Sequence, residues 1–139
     1  MQTLALEGAK YGIRVNSLAP TAATHMTSQI MDEASLRRLA PELVAPAALF
    51  LASENAPTRC ILAAGAGGFE VAYITLTRGI YAVGDDAAEQ IEAQFVAIAE
   101  RTGEQVPQSG LVQALFELSK EDAGPLPSAA PTSFAATLY

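Results

Sequence analysis

The chain has 139 residues, one cysteine and a formal net charge of −7, and half of its residues are hydrophobic. That length makes one domain or part of one, and the apolar fraction excludes disorder by composition. The negative charge excludes nucleic acid and anionic membrane as partners, since both need a basic patch.

Cys60 lies in an apolar run with Ile61 and Leu62. It reads as a buried, inert thiol in a reduced, cytoplasmic protein. No apolar stretch approaches the roughly 20 residues that cross a bilayer. The opening MQTLALEGAK has no basic start and carries Glu7, unlike a secretory leader.

Residues 1–11 are helix formers with Leu4 and Leu6 on an apolar side, and no capping residue precedes them, so the chain is expected to begin inside a helix. Gly12 suits the position after the last turn. Residues 13–19 fit a buried parallel strand that Pro20 ends. A hydroxyl-rich loop, residues 21–27, follows. Residues 28–39 hold a short helix, and Pro46 opens another that runs to about Ser53. SENAPT is a turn. Residues 59–64, RCILAA, form a second buried strand, GAGG a tight bend, and residues 69–77 a third strand.

After Tyr81 the character changes. Asp86 and Glu89 have capping-box spacing, and Gly103 closes the helix they open. VPQSG is a linker, and residues 111–121 make a short amphipathic helix. The Pro-, Ser- and Ala-rich remainder has no period. The organisation is thus residues 1–81 as an α/β segment, residues 82–121 as a helical extension and residues 122–139 as an irregular tail. Helix, strand, helices and strand in that order form the closing, C-terminal portion of a doubly wound, Rossmann-like parallel sheet.

Over residues 1–81 the text resembles the short-chain dehydrogenase/reductase family. TLALEGAKYGIRVNSLAP is similar to the family's helix downstream of its catalytic pair, followed by its IRVN strand. APELVAPAALFLASENAPTRCILAAGAGGFEVAYITLTRG is similar to its final helix and strand. The subgroup it most resembles is the (3R)-hydroxyacyl dehydrogenase unit of the peroxisomal multifunctional enzyme and its bacterial relatives. The resemblance implies an NAD(P)-dependent oxidoreductase acting on a hydroxy or keto substrate, an acyl-CoA in that subgroup.

The family's catalytic pair is a tyrosine with a lysine four residues later, and its cofactor signature is a threonine with three glycines after the first strand. Neither is present. The residues four after Tyr11, Tyr73 and Tyr81 are Val15, Thr77 and Asp85, and Gly65, Gly67 and Gly68 follow a late strand with the wrong spacing. No catalytic residue is assigned, and Met1 corresponds to a point shortly after the family's lysine. By resemblance the nicotinamide-side wall falls on Pro20, Thr21, Ala22 and Ala23, with Thr24 reaching the pyrophosphate. Thr21 stands where the family usually has glycine, and Thr24 comes one residue early. The plainer alternative is that both threonines cap the loop and the next helix. His25, Met26, Ile30 and Met31 fall on the family's substrate lid, or are loop and core residues of a short helix. No metal ligand set is assigned: His25 has no partners at ligand spacing, and Asp85, Asp86 and Glu89 are explained by capping.

Two readings follow. In one, the chain is the C-terminal part of an NAD or NADP oxidoreductase, inactive and weakly cofactor-binding without the N-terminal half. It self-associates as a homodimer through the first helix, the family's subunit-contact helix, or pairs with that missing half. In the other it is a non-catalytic structural or binding module derived from the fold.

Overall fold

The computed structural model describes residues 1–123, so the tail expectation lies outside the described residues from Gly124 onward. The chain divides into two compact units, one spanning Met1–Tyr73 and one beginning at Ile74.

The first unit opens with helix α1 (Gln2–Ala9), which buries Ala5 and Gly8. The amides of Tyr11 and Ile13 both donate to the Gly8 carbonyl, at 2.9 and 3.1 Å. Gly12 takes φ +69° between them, the left-handed turn expected of it. The chain then enters strand β1 (Ser17–Thr21). The strand starts later than the apolar run implied and continues through Pro20. The Ser17 amide donates to Cys60 at 2.9 Å, and alternation gives Ala19 and Thr21 the same direction. The nitrogen of Pro20 therefore points away from the neighbouring strand, and its missing N–H costs no ladder bond.

A 3-10 turn (Thr27–Gln29) and helix α2 (Glu33–Arg38) follow. Asp32 caps α2, accepting from the Ser35 amide at 2.9 Å and the Ser35 hydroxyl at 2.7 Å. A second 3-10 turn (Pro41–Leu43) leads into α3 (Ala45–Ala52), with Pro46 in its first turn as expected. Strand β2 (Ile61–Gly65) runs parallel to β1, with Ser17 opposite Ile61 and Thr21 opposite Gly65. Strand β3 (Gly68–Ala72) returns antiparallel, giving the order β1-β2-β3. The GAGG bend is a two-residue hairpin loop, Ala66 and Gly67, both at positive φ, the mark of a type I′ turn.

The core is Val44, Ala47, Leu62 and Ala64, with Leu18, Ala22, Leu51 and Cys60 packed against it. Only one face of β2 is closed: Leu62 and Ala64 are buried while Ile61 and Ala63 are half-buried. Strand β1 is less buried than expected, with Ala19, Pro20 and Thr21 exposed. The core lies on the Leu18, Leu62 and Ala64 face of the sheet, against Val44 and Ala47, which leaves Ala19 and Thr21 on the other face exposed.

In the second unit, Leu76 bridges Gln105 in both directions, at 2.9 and 3.0 Å, instead of extending β3. The Thr77 hydroxyl donates to the Ile98 carbonyl at 2.5 Å. Helix α4 (Ala87–Ala99) begins after Asp86, but the expected capping box does not form. Asp86 has φ −100° and ψ 13°, outside the extended backbone of a cap, and accepts no cap hydrogen bond. Helix α5 (Gly110–Leu118) is capped instead by Ser109, from the stretch read as a linker. Its hydroxyl accepts from the Val112 amide at 3.2 Å. Helix α6 (Lys120–Ala123) follows.

Candidate functional site

The loop leaving the carboxyl end of β1 is the one the sequence singles out. In open α/β sheets ligands bind beyond the carboxyl ends of parallel strands. Two tertiary devices fix where this loop starts. The first is Asn16. Its side-chain N–H donates to the Pro57 carbonyl at 2.7 Å, and its oxygen accepts from the Cys60 amide at 3.0 Å. Arg14 extends the device by donating to the carbonyls of Ser53, at 3.1 Å, and Glu54, at the end of α3. The second is Gly65. A Cβ there would lie 2.8 Å from the Thr21 carbonyl oxygen and 2.9 Å from the Thr21 Cβ. Only glycine lets the ends of β1 and β2 approach this closely.

Beyond Thr21 the loop is organised by Thr27, which the sequence reading did not single out. Its Oγ1 accepts from the Thr24 amide at 2.7 Å and lies 3.1 Å from the Ala22 carbonyl and 3.0 Å from the Thr24 carbonyl. One hydroxyl hydrogen serves either carbonyl. The Ala23 amide donates to Leu39 at 2.7 Å and is thereby occupied. The Thr24 hydroxyl is held only weakly, 3.4 Å from both the Thr27 amide and the Thr27 Oγ1. Thr21, Thr24 and His25 are exposed, and Ala22 and Ala23 are half-buried. The hydroxyl at i+3 from Thr24 was the available signal for Thr27, since Ser and Thr side chains satisfy backbone groups a few residues away.

The lid candidates follow directly. Met26 is 82% exposed, Ile30 81% and Met31 36%, so none is a core side chain of the 3-10 turn. The hydroxyl of Ser28 donates to the His25 backbone carbonyl at 2.8 Å, and the His25 residue is exposed. Asp32 closes the segment, and the Ser35 amide, then its hydroxyl, hold that carboxyl below its usual value of 3.8. Among the described residues no group of three or more His, Cys, Asp or Glu side chains could hold a metal ion. No helix of the described residues is long and apolar enough to cross a membrane.

A parallel strand pair crossed over by helices, with a hydroxyl-bearing loop at its carboxyl end, is a fragment of a Rossmann-like sheet. The relatives make this particular. Over 107 residues the chain is 34% identical to a short-chain type dehydrogenase/reductase of Mycobacterium tuberculosis, covering 76% of this chain and 37% of the relative. Over 54 residues it is 46% identical to the peroxisomal hydratase-dehydrogenase-epimerase of Saccharomyces cerevisiae, covering 39% of this chain and 6% of that one. The full-length peroxisomal multifunctional enzyme type 2 of Drosophila melanogaster superposes with a TM-score of 0.60 at 20% identity, over 86% of this chain and 23% of that one. No family model matches the chain. The chain is therefore homologous to a portion of short-chain dehydrogenases/reductases and peroxisomal multifunctional enzymes, and spans little more than a third of the mycobacterial relative, 37%.

Proposed function

We propose that this chain is the nicotinamide-facing portion of an NAD(P)-dependent short-chain oxidoreductase acting on a hydroxy or keto group, with an acyl-CoA as the substrate class. The observation that carries the reading is the loop at the carboxyl end of β1. It is seated against Gly65 and bonded internally through Thr27, yet leaves the Thr24 hydroxyl only weakly engaged. The nicotinamide, when bound, accepts or donates the hydride. This chain's part is to hold it. Residues 20–23 form a wall whose backbone is fixed by Pro20, by the Gly65 contact and by the bond from Ala23 to Leu39. The Thr24 hydroxyl donates to a phosphate oxygen, and Met26, Ile30 and Met31 cover the apolar part of the substrate and exclude water.

No residue of this chain is assigned to proton transfer. The 139 residues carry neither the glycine signature nor a tyrosine with a lysine four places on, so by themselves they are inactive. A second copy docks on α1, where Leu4 and Leu6 are exposed. The unpaired Cys60 suits a reducing compartment such as the cytoplasm.

The test is a fusion of the amino-terminal part of the mycobacterial relative to this chain, carrying Thr24→Val. Valine keeps the shape of threonine and removes the hydroxyl. The cofactor KM should rise by the equivalent of roughly 1.5–3 kcal/mol with Tm unchanged. An unaltered KM with a lowered Tm would make Thr24 a loop cap and remove it from the site.

A further inference from the structure

The second unit contains a cavity of about 360 Å³ that the reading above does not use. Its walls are apolar: Leu76, Ile80, Ile91, Ile98 and Phe116. The Thr77 hydroxyl at its edge is already spent on the Ile98 carbonyl. Among the described residues one cation lines it, Lys120.

Like Lys10, whose Nζ lies 4.9 Å from the Tyr11 ring centroid, Lys120 meets an aromatic ring, and among the described residues it has no carboxylate partner; unlike Lys10, it lines a cavity. Arg37 and Arg101 each pair with a carboxylate three or four residues away. Lys120 has Glu117, Glu121 and Asp122 within three residues. Among the described residues, none of these pairs with it. Its Nζ lies instead over the Phe116 ring, 4.7 Å from the centroid. It also sits 2.8 Å from where a Cβ on Gly79 would be, so the bare backbone of Gly79 makes room for it. The Glu117 carboxylate accepts from the Gln113 side chain at 3.0 Å. Lys120 is thus half-buried, with its ammonium over an aromatic face at the cavity and three N–H donors to offer a ligand.

We infer that this cavity binds an amphipathic organic monocarboxylate, its apolar body against Ile91, Ile98 and Phe116 and its carboxylate on Lys120. The size suits a small ligand, since such sites begin near roughly 300 Å³. The charge of the ligand is limited by desolvation. One ammonium lines these apolar walls, and moving a dianion such as a phosphate ester out of water costs far more than moving a monoanion, while Glu117 on the same wall weakens the pull on either. The apolar walls reject small hydrophilic anions, which would lose hydration and gain one contact.

The test uses the whole chain, labelled with nitrogen-15 and with carbon-13 at isoleucine methyls, titrated with decanoate below its micelle concentration. Decanol serves as the neutral control. Saturable shifts are expected at Ile80, Ile91 and Ile98. Lys120→Met, which keeps the apolar stem, should weaken decanoate by about tenfold or more, the value of one charge-assisted hydrogen bond, and leave decanol unchanged. Lys120→Arg should retain decanoate binding, which separates loss of charge from loss of fold. The proposal is overturned if decanoate moves none of those methyls, or if it binds the Lys120→Met protein as tightly as the parent.

Discussion

Asn16 and Thr27 each satisfy two or more backbone groups with one side chain, and the two bracket the loop that follows β1. Asn16→Ala leaves the Cys60 amide and the Pro57 carbonyl without their partner and should cost about 1–3 kcal/mol, read from denaturant unfolding. Gly65→Ala forces a methyl to within 3 Å of Thr21 and should cost about 1–3 kcal/mol, with the largest amide shifts at Thr21 and its neighbours. Asp32 gives a pH dependence with a definite sign. Its carboxyl is held below 3.8 by the Ser35 amide and hydroxyl, so the folded state binds that proton less readily than the unfolded chain. The stabilisation is complete above the unfolded value and is lost as pH falls through the lower folded one. Carboxyl carbon-13 shifts should show an Asp32 midpoint below 3.8, and Ser35→Ala should move it upward without fully restoring it, because the amide bond remains. A midpoint that does not move would place the hydroxyl outside the cap. These contacts lay beyond sequence reading to different degrees. Thr27 sits three residues from Thr24 and could be suspected from spacing, but Asn16 and Arg14 bond partners about forty residues away, which no local pattern contains.

At the scale of elements, local chemistry was legible wherever backbone conformation alone decides. Gly12 after α1, Pro46 in the first turn of α3 and the bend at Ala66 and Gly67 all stand as read. The failures have a common cause. A proline ends a strand only if its nitrogen faces a partner, and that of Pro20 does not. A capping box needs an extended cap residue, and Asp86 is not extended. Ser109 is, with φ −161° and ψ 169°, and so the cap formed inside an apparent linker. Ser109→Ala should therefore cost about 1 kcal/mol and fray α5, seen as faster amide exchange at Val112, whereas Asp86→Ala should leave α4 protected. The hairpin carries a correctable strain. Ala66 holds φ 50° where a type I′ turn prefers asparagine, so Ala66→Asn should raise the stability of the first unit by roughly 0.5–1 kcal/mol.

For the whole molecule, the decisive feature is how much apolar surface is left open. Leu4, Leu6, Tyr11 and Ile13 around α1 are exposed, and among the described residues the core cluster at the sheet holds four buried side chains. On the function proposed above, a second copy covers this surface, and exposed apolar area of this kind is where such contacts form. Sedimentation equilibrium should show self-association, weakened by Leu4→Glu; a monomer at high concentration would contradict it. The family portion was legible because IRVN and the proline series are local text. The activity was not, because the family's catalytic pair and cofactor signature are not among these 139 residues. NADH titrated into the 139-residue chain should give no saturable signal, since the few loop contacts cannot offset the entropy of capturing a dinucleotide. The most direct test of the account is NAD(P)-dependent turnover of a 3-hydroxyacyl-CoA by the fusion with the amino-terminal part of the mycobacterial relative, beside the chain alone. The account predicts turnover by the fusion and none by the chain. A folded fusion that binds cofactor but turns over no hydroxy or keto substrate, or turnover by the chain alone, would contradict it.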